Sequence, residues 1–122
     1  MKIILIAPGT APQVLEIEHS LKAMQELVDG HIEAIYPFED TVALVCNDEG
    51  KLLGLPLNRA VRDPATGQIV DIIAGTFFIC GLGEADFASL SDEQINRYIQ
   101  MFRHPEVFIQ SDSQIVILQM EE

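Results

Sequence analysis

The chain has 122 residues, a mass of 13.5 kDa, 19 Asp and Glu against 7 Lys and Arg, and a formal net charge of −12. Its length suits a single domain with one real core, and its 48% hydrophobic against 21% charged content argues against disorder. Coating phosphate needs the opposite charge balance, and an anionic membrane repels this one. The reading is therefore no direct nucleic-acid binding and no membrane, whereas a partner with a basic surface is attracted.

The predicted elements follow in chain order. Lys2–Ala7 is a continuous apolar run closed by Pro8-Gly9, a buried strand and a turn. Gln13–Glu18 alternates, with Leu15 and Ile17 on one face, and reads as a half-buried strand antiparallel to the first. Ser20 offers an N-cap to a helix carrying Leu21, Met24, Leu27 and Val28, with Gly30 at the C′ position. His31–Phe38 and Thr41–Asn47 read as strands joined by a turn over Pro37–Asp40. Asn47–Gly50 is a second turn, leading into Lys51–Leu53, and Pro64–Gly67 is a third. Gln68–Cys80 reads as one long strand, or as two with a bulge at Gly75.

Ser91-Asp92-Glu93-Gln94 is a capping box that opens the second helix. Leu90 is placed to staple onto Ile95, and Ile95, Tyr98, Ile99 and Phe102 form its apolar face. Pro105 ends it. The chain closes with a hairpin, Val107–Gln110 and Gln114–Gln119 around Ser111–Ser113. The order β-β-α-β-β, an irregular middle, then β-α-β-β does not alternate strictly. The expected fold is α+β, a mainly antiparallel sheet with two helices packed on it. Residues 1–122 read as one domain, with the hairpin from about 107. The hairpin strands are strongly apolar, and are either core or an exposed edge that makes a homo-oligomer possible.

Cys46 and Cys80 lie inside apolar runs and read as buried free thiols, with no CxxC spacing for zinc or redox chemistry. Glu16 with His19, and His31 with Glu33, supply two ligands each, too few for a metal site. No metal and no cofactor is expected. Gly81-Leu82-Gly83 lacks the third glycine and the helix of a dinucleotide fingerprint. No catalytic motif is visible, so the reading is no enzyme and no catalytic residue. The N-terminus lacks a signal-peptide pattern, and no apolar stretch reaches the ~20 residues of a membrane span. The expected location is cytoplasmic.

One segment is chemically distinct. Residues 31–50 hold five acids and no base, and residues 63–93 hold six acids and no base. Between them KLLGLPLNRAVR carries Lys51, Arg59 and Arg62 with no acid. Arg62 follows Arg59 at i+3, one face if the segment turns helically, and two guanidinium forks suit a phosphate or carboxylate. The alternative is that these bases neutralise acids of the same domain. Asp71, inside IVDIIAGTFF, either faces solvent or is a buried carboxylate with Arg59 or Arg62 as partner.

The stretches LVDGHIEAIYPF, VALVCNDEGKLLGLPLNRAVRD and DIIAGTFFICGLG resemble the family known as domain of unknown function 3846. The resemblance runs from about Lys2 to Phe102, and the hairpin from Val107 lies outside it. It implies a setting in bacteriophages, plasmids and conjugative elements, and it includes Gly54, Asn58 and Arg59. The expected function is a small acidic non-enzymatic accessory protein of such an element. It would bind and modulate a host or element-encoded protein with a basic surface, in counter-defence or by nucleic-acid mimicry. The alternative is a binder that sequesters an anionic nucleotide-type ligand through Lys51, Gly54, Asn58, Arg59 and Arg62.

Overall fold

Successive strand residues point to opposite faces, so a strand apolar at every position needs cover on both sides. The computed structural model, which describes residues 1–120, supplies that cover with one helix on each face of a central sheet. Glu121 and Glu122, the last residues of the expected domain, lie outside the described residues. The first half of the chain forms β1 (Lys2–Ile6), β2 (Gln13–Glu16), α1 (Leu21–Val28), β3 (Ile32–Ile35) and β4 (Val42–Asn47). The second half forms β5 (Leu57–Arg62), β6 (Ile69–Ala74), β7 (Phe77–Leu82), β8 (Phe87–Ala88), α2 (Asp92–Met101), β9 (Glu106–Ser111) and β10 (Gln114–Gln119).

The central sheet runs β2-β1-β7-β4-β3, with β8 also on β7, and every pairing is antiparallel. Two further sheets are the hairpins β5–β6 and β9–β10. The fold is α+β, as expected. Ile4 and Leu44 both stand opposite Ile79, and these side chains bury against Ile95 and Tyr98 of α2, its C-cap Phe102, and Val61 and Ile73 of the β5–β6 hairpin. The alternate residues Ile3, Ala43, Val45, Phe78 and Cys80 bury against Met24 and Val28 of α1. Each fully buried aliphatic or Phe side chain contributes about 1.5–3 kcal/mol.

Local signals are realised at both helix starts. Ser20 Oγ accepts from Ala23 N–H at 3.1 Å. Ser91 Oγ accepts from Gln94 N–H, while Gln94 Oε1 accepts from Ser91 N–H at 3.0 Å, completing the capping box. At the end of α1 Gly30 takes the expected C′ position, after a C-cap Asp29 that adopts the left-handed region at φ 59°, and glycine is needed there for space. A Cβ on Gly30 would meet Asn47 Nδ2 at 2.7 Å, and that amide caps the helix by donating to the Val28 and Asp29 carbonyls.

The run Gln68–Cys80 is two strands that belong to different sheets, turning at Gly75 with φ 84°. Lys51–Leu53 is turn, and β8 is an element the sequence pattern did not reveal.

Candidate functional site

Lys51–Gly54 is turn, but Leu57–Arg62 is β5, so Arg59 and Arg62 do not share the face of a helical turn. Pairing with β6 shifts register between Leu57 and Arg59, leaving Asn58 as an extra residue. A bulge breaks side-chain alternation, and Asn58 and Arg59 are both buried, 0% and 1% exposed. Their polar atoms are consumed inside the domain. Asn58 Nδ2 donates to the Ile6 and Gly75 carbonyls at 2.8 and 2.9 Å. Arg59 donates to the Phe102 carbonyl through Nε and Nη2, to the Thr10 carbonyl at 2.6 Å, and to Asn58 Oδ1 at 2.9 Å. Burial pulls the Arg59 pKa below its ordinary value, and nearby Glu106 opposes that shift.

The other members of the expected ligand set go elsewhere. Arg62 pairs with the buried carboxylate of Glu106 at 3.0 Å, and Glu106 also accepts from Ala60 N–H at 2.8 Å. Lys51 pairs with Asp71 at 2.9 Å, so Asp71 is neither buried nor a partner of Arg59 or Arg62. Gly54 is a turn residue at φ 71° with open space where its Cβ would be. Lys51 lines a cavity of about 140 Å³ with Glu33, Asp48 and Glu49, while Arg62 lines a separate one of about 240 Å³. The five residues therefore do not converge, and Asn58 and Arg59 are not available to a ligand. Internal neutralisation, the other reading of this basic stretch, describes Lys51 and Arg62. Arg59 serves a third role, tying the C-cap of α2 to β5 and to the loop at Thr10.

A larger cleft of about 640 Å³ forms where three segments meet: Pro37–Asp40, Asp63–Ala65 and the α2 residues Arg97, Tyr98 and Met101. Its apolar lining includes Phe38, Pro64 and Met101, and its charges are Glu39, Asp40 and Asp63 against Arg97. Asp40 is the fixed centre. It accepts from Tyr98 Oη at 2.7 Å, from Gln94 Nε2 at 3.1 Å and from Thr41 N–H at 2.7 Å, and pairs with Arg97. Burial alone would raise the Asp40 pKa, but these hydrogen bonds and the Arg97 charge outweigh it, and the carboxyl lies below its ordinary value. Burial first, then Asp40, pushes the Tyr98 phenol up to about 12. Asp63 Oδ1 accepts only from Ala65 N–H, at 2.8 Å, and Glu39 is exposed. Neither has a cationic partner among the described residues. Glu39 and Asp63 lie in separate acidic runs of the sequence, and no local pattern announced that the fold joins them.

Both thiols are buried, and burial raises Cys46 to about 11 and Cys80 to about 12. We expect neither to react with a thiol-specific disulfide reagent at neutral pH until the chain is unfolded. Rapid native labelling of either would contradict this packing. No group of three metal-ligating side chains converges among the described residues, and no helix is long and apolar enough to cross a membrane.

The fold and site define a small acidic α+β protein with an anionic, apolar-floored cleft. Its residues 1–103 match the model of the family described as domain of unknown function (DUF3846), and the chain belongs to that family. Comparison with curated proteins and with solved structures gave no match.

Proposed function

We propose that this chain is a non-enzymatic accessory protein of a phage or other mobile element. In this reading it acts in the cytoplasm and docks on a basic protein of the host or of the element through the cleft between Pro37–Asp40, Asp63–Ala65 and α2. The observation that carries this reading is the cleft's composition. It sets two carboxylates with no cationic partner among the described residues, Glu39 and Asp63, beside an apolar surface that includes Phe38 and Met101. A Lys or Arg side chain has that same division, an apolar stem and a charged head. Asp40 is held by four groups and shapes the wall, leaving Glu39 and Asp63 to meet the incoming cation.

The net charge of −12 adds long-range steering toward a basic surface. A local cleft is the docking mode with a geometric basis, because Glu39 and Asp63, one from each acidic run, both line it.

The test is a titration of the protein into a fluorescently labelled, Arg- and Leu-rich dodecapeptide. Binding should weaken as salt rises. Glu39→Gln with Asp63→Asn should weaken it about tenfold, the scale of two partly exposed charge contacts. Glu16→Gln with Glu18→Gln, which removes equal charge elsewhere, should leave it nearly unchanged. Equal losses in both double variants would mean that net charge alone binds the peptide, and the cleft assignment would fall.

A further inference from the structure

Gln94, Arg97 and Tyr98 lie at i, i+3 and i+4 of α2, so one helix face sends three donors toward Asp40. Asp40 Oδ1 accepts from Gln94 and from Thr41 N–H, and Oδ2 accepts from Tyr98 and Arg97. Gln94 and Tyr98 thus tie α2 to the carboxylate, and Thr41 ties it to its own turn, with or without Arg97. The reverse does not hold. Among the described residues Arg97 donates only to Asp40, through Nη1, and its Nε and Nη2 have no acceptor. Its side chain is 51% exposed, against 17% for Asp40. Its guanidinium carbon lies 6.0 Å from the Tyr98 ring centroid, at the outer reach of a cation–π contact. The cleft therefore holds a fixed carboxylate with a cation set loosely on it.

We propose that Arg97 is a resident stand-in for the partner's cation, and that an arginine of the partner displaces it from Asp40. This rests on the cleft as the docking site and names the side chain that the cleft takes. Glu39 and Asp63 meet the incoming guanidinium, Arg97 swings into solvent, and Asp40 becomes the third carboxylate of the site. The exchange swaps one guanidinium for another, so Asp40 keeps a countercharge throughout. Losing it is costly for a carboxylate this shielded. Arginine suits the position better than lysine. Its guanidinium is planar, weakly hydrated and able to pair with more than one carboxylate beside an aromatic ring, whereas an ammonium is a compact, strongly hydrated point charge. Because Arg97 must leave first, it lowers the apparent affinity of the cleft and selects against cations that match poorly.

Methylguanidinium is the probe, titrated into isotope-labelled protein while NMR follows the Thr41 backbone N–H and the Gln94 side-chain amide, the two donors on Asp40 Oδ1. Both signals should shift. Arg97→Gln should bind the probe about fivefold more tightly, the scale of one exposed ion pair. Lys22→Gln makes the same charge change on α1, across the central sheet from α2, and should bind like the parent. Methylammonium should bind more weakly than methylguanidinium. Thermal unfolding of Arg97→Gln should stay close to that of the parent, because Gln94 and Tyr98 still hold α2. The proposal is overturned by unshifted Thr41 and Gln94 signals, by no gain in Arg97→Gln, by an equal gain in Lys22→Gln, or by a large loss of stability in Arg97→Gln. The probe needs no peptide, so the two readings fail separately. A dodecapeptide that binds parent and Arg97→Gln alike removes the exchange and keeps the docking site. Probe binding with no peptide binding removes the docking reading and keeps the exchange.

Discussion

Replacing Arg59 by alanine should lower unfolding free energy by about 3–5 kcal/mol, from two buried carbonyls that each lose a donor at about 1–3 kcal/mol and from the cavity left by a large buried side chain. The guanidinium is 1% exposed and bridges three places far apart in the chain: the Phe102 carbonyl at the end of α2, the Thr10 carbonyl, and Asn58. Alanine leaves both carbonyls without that donor and opens a cavity beside them. It also removes positive charge from a helix C-terminus, where a cation is favoured. Arg59→Lys should recover only part of the loss, because a single ammonium lacks the planar fork that spans the three acceptors. Urea unfolding at neutral pH measures both variants. A loss under about 1 kcal/mol for the alanine variant would contradict the network as described here.

Replacing Asn58 by alanine should cost about 2–4 kcal/mol, from two orphaned carbonyls at about 1–3 kcal/mol each, partly relieved by relaxation. The Asn58 amide joins the end of β1, at Ile6, to the turn at Gly75 that separates β6 from β7. It thereby fixes the β5–β6 hairpin onto the central sheet. Asn58→Leu is the informative companion. It restores the volume but neither donor, so it should not rescue stability. If leucine comes within about 1 kcal/mol of the parent, packing rather than hydrogen bonding holds the junction.

Both residues sat in the segment that the sequence marks as chemically distinct, and both turned out to be internal structure. The reason is specific. Reading Arg59 and Arg62 as one face assumed a helical turn, whereas β5 forms with a bulge at Asn58 that depends on pairing with β6. Charge counting correctly anticipated that Lys51 and Arg62 pair with acids of the same domain, but it assigned neither partner. Glu106 is 44 residues from Arg62, and its carboxylate is buried. The terminal hairpin was placed to within a residue or two at each strand, yet its exposure was open, since apolar strands look alike whether or not something covers them.

What the sequence determined on its own is the part of the fold set by near neighbours. Caps at Ser20 and Ser91 act over three residues, turns form where Pro, Gly, Asn and Asp cluster, and strands apolar at every position demand a sheet covered on both faces. The α+β class follows from those same patterns, while the family membership rests on the match over residues 1–103. Only the tertiary structure decided where Asn58 and Arg59 point, how Glu39 and Asp63 come to share a cleft with α2, and which hairpin face stays open. Those outcomes depend on partners dozens of residues away, and such contacts come from strand register and the docking of one sheet on another.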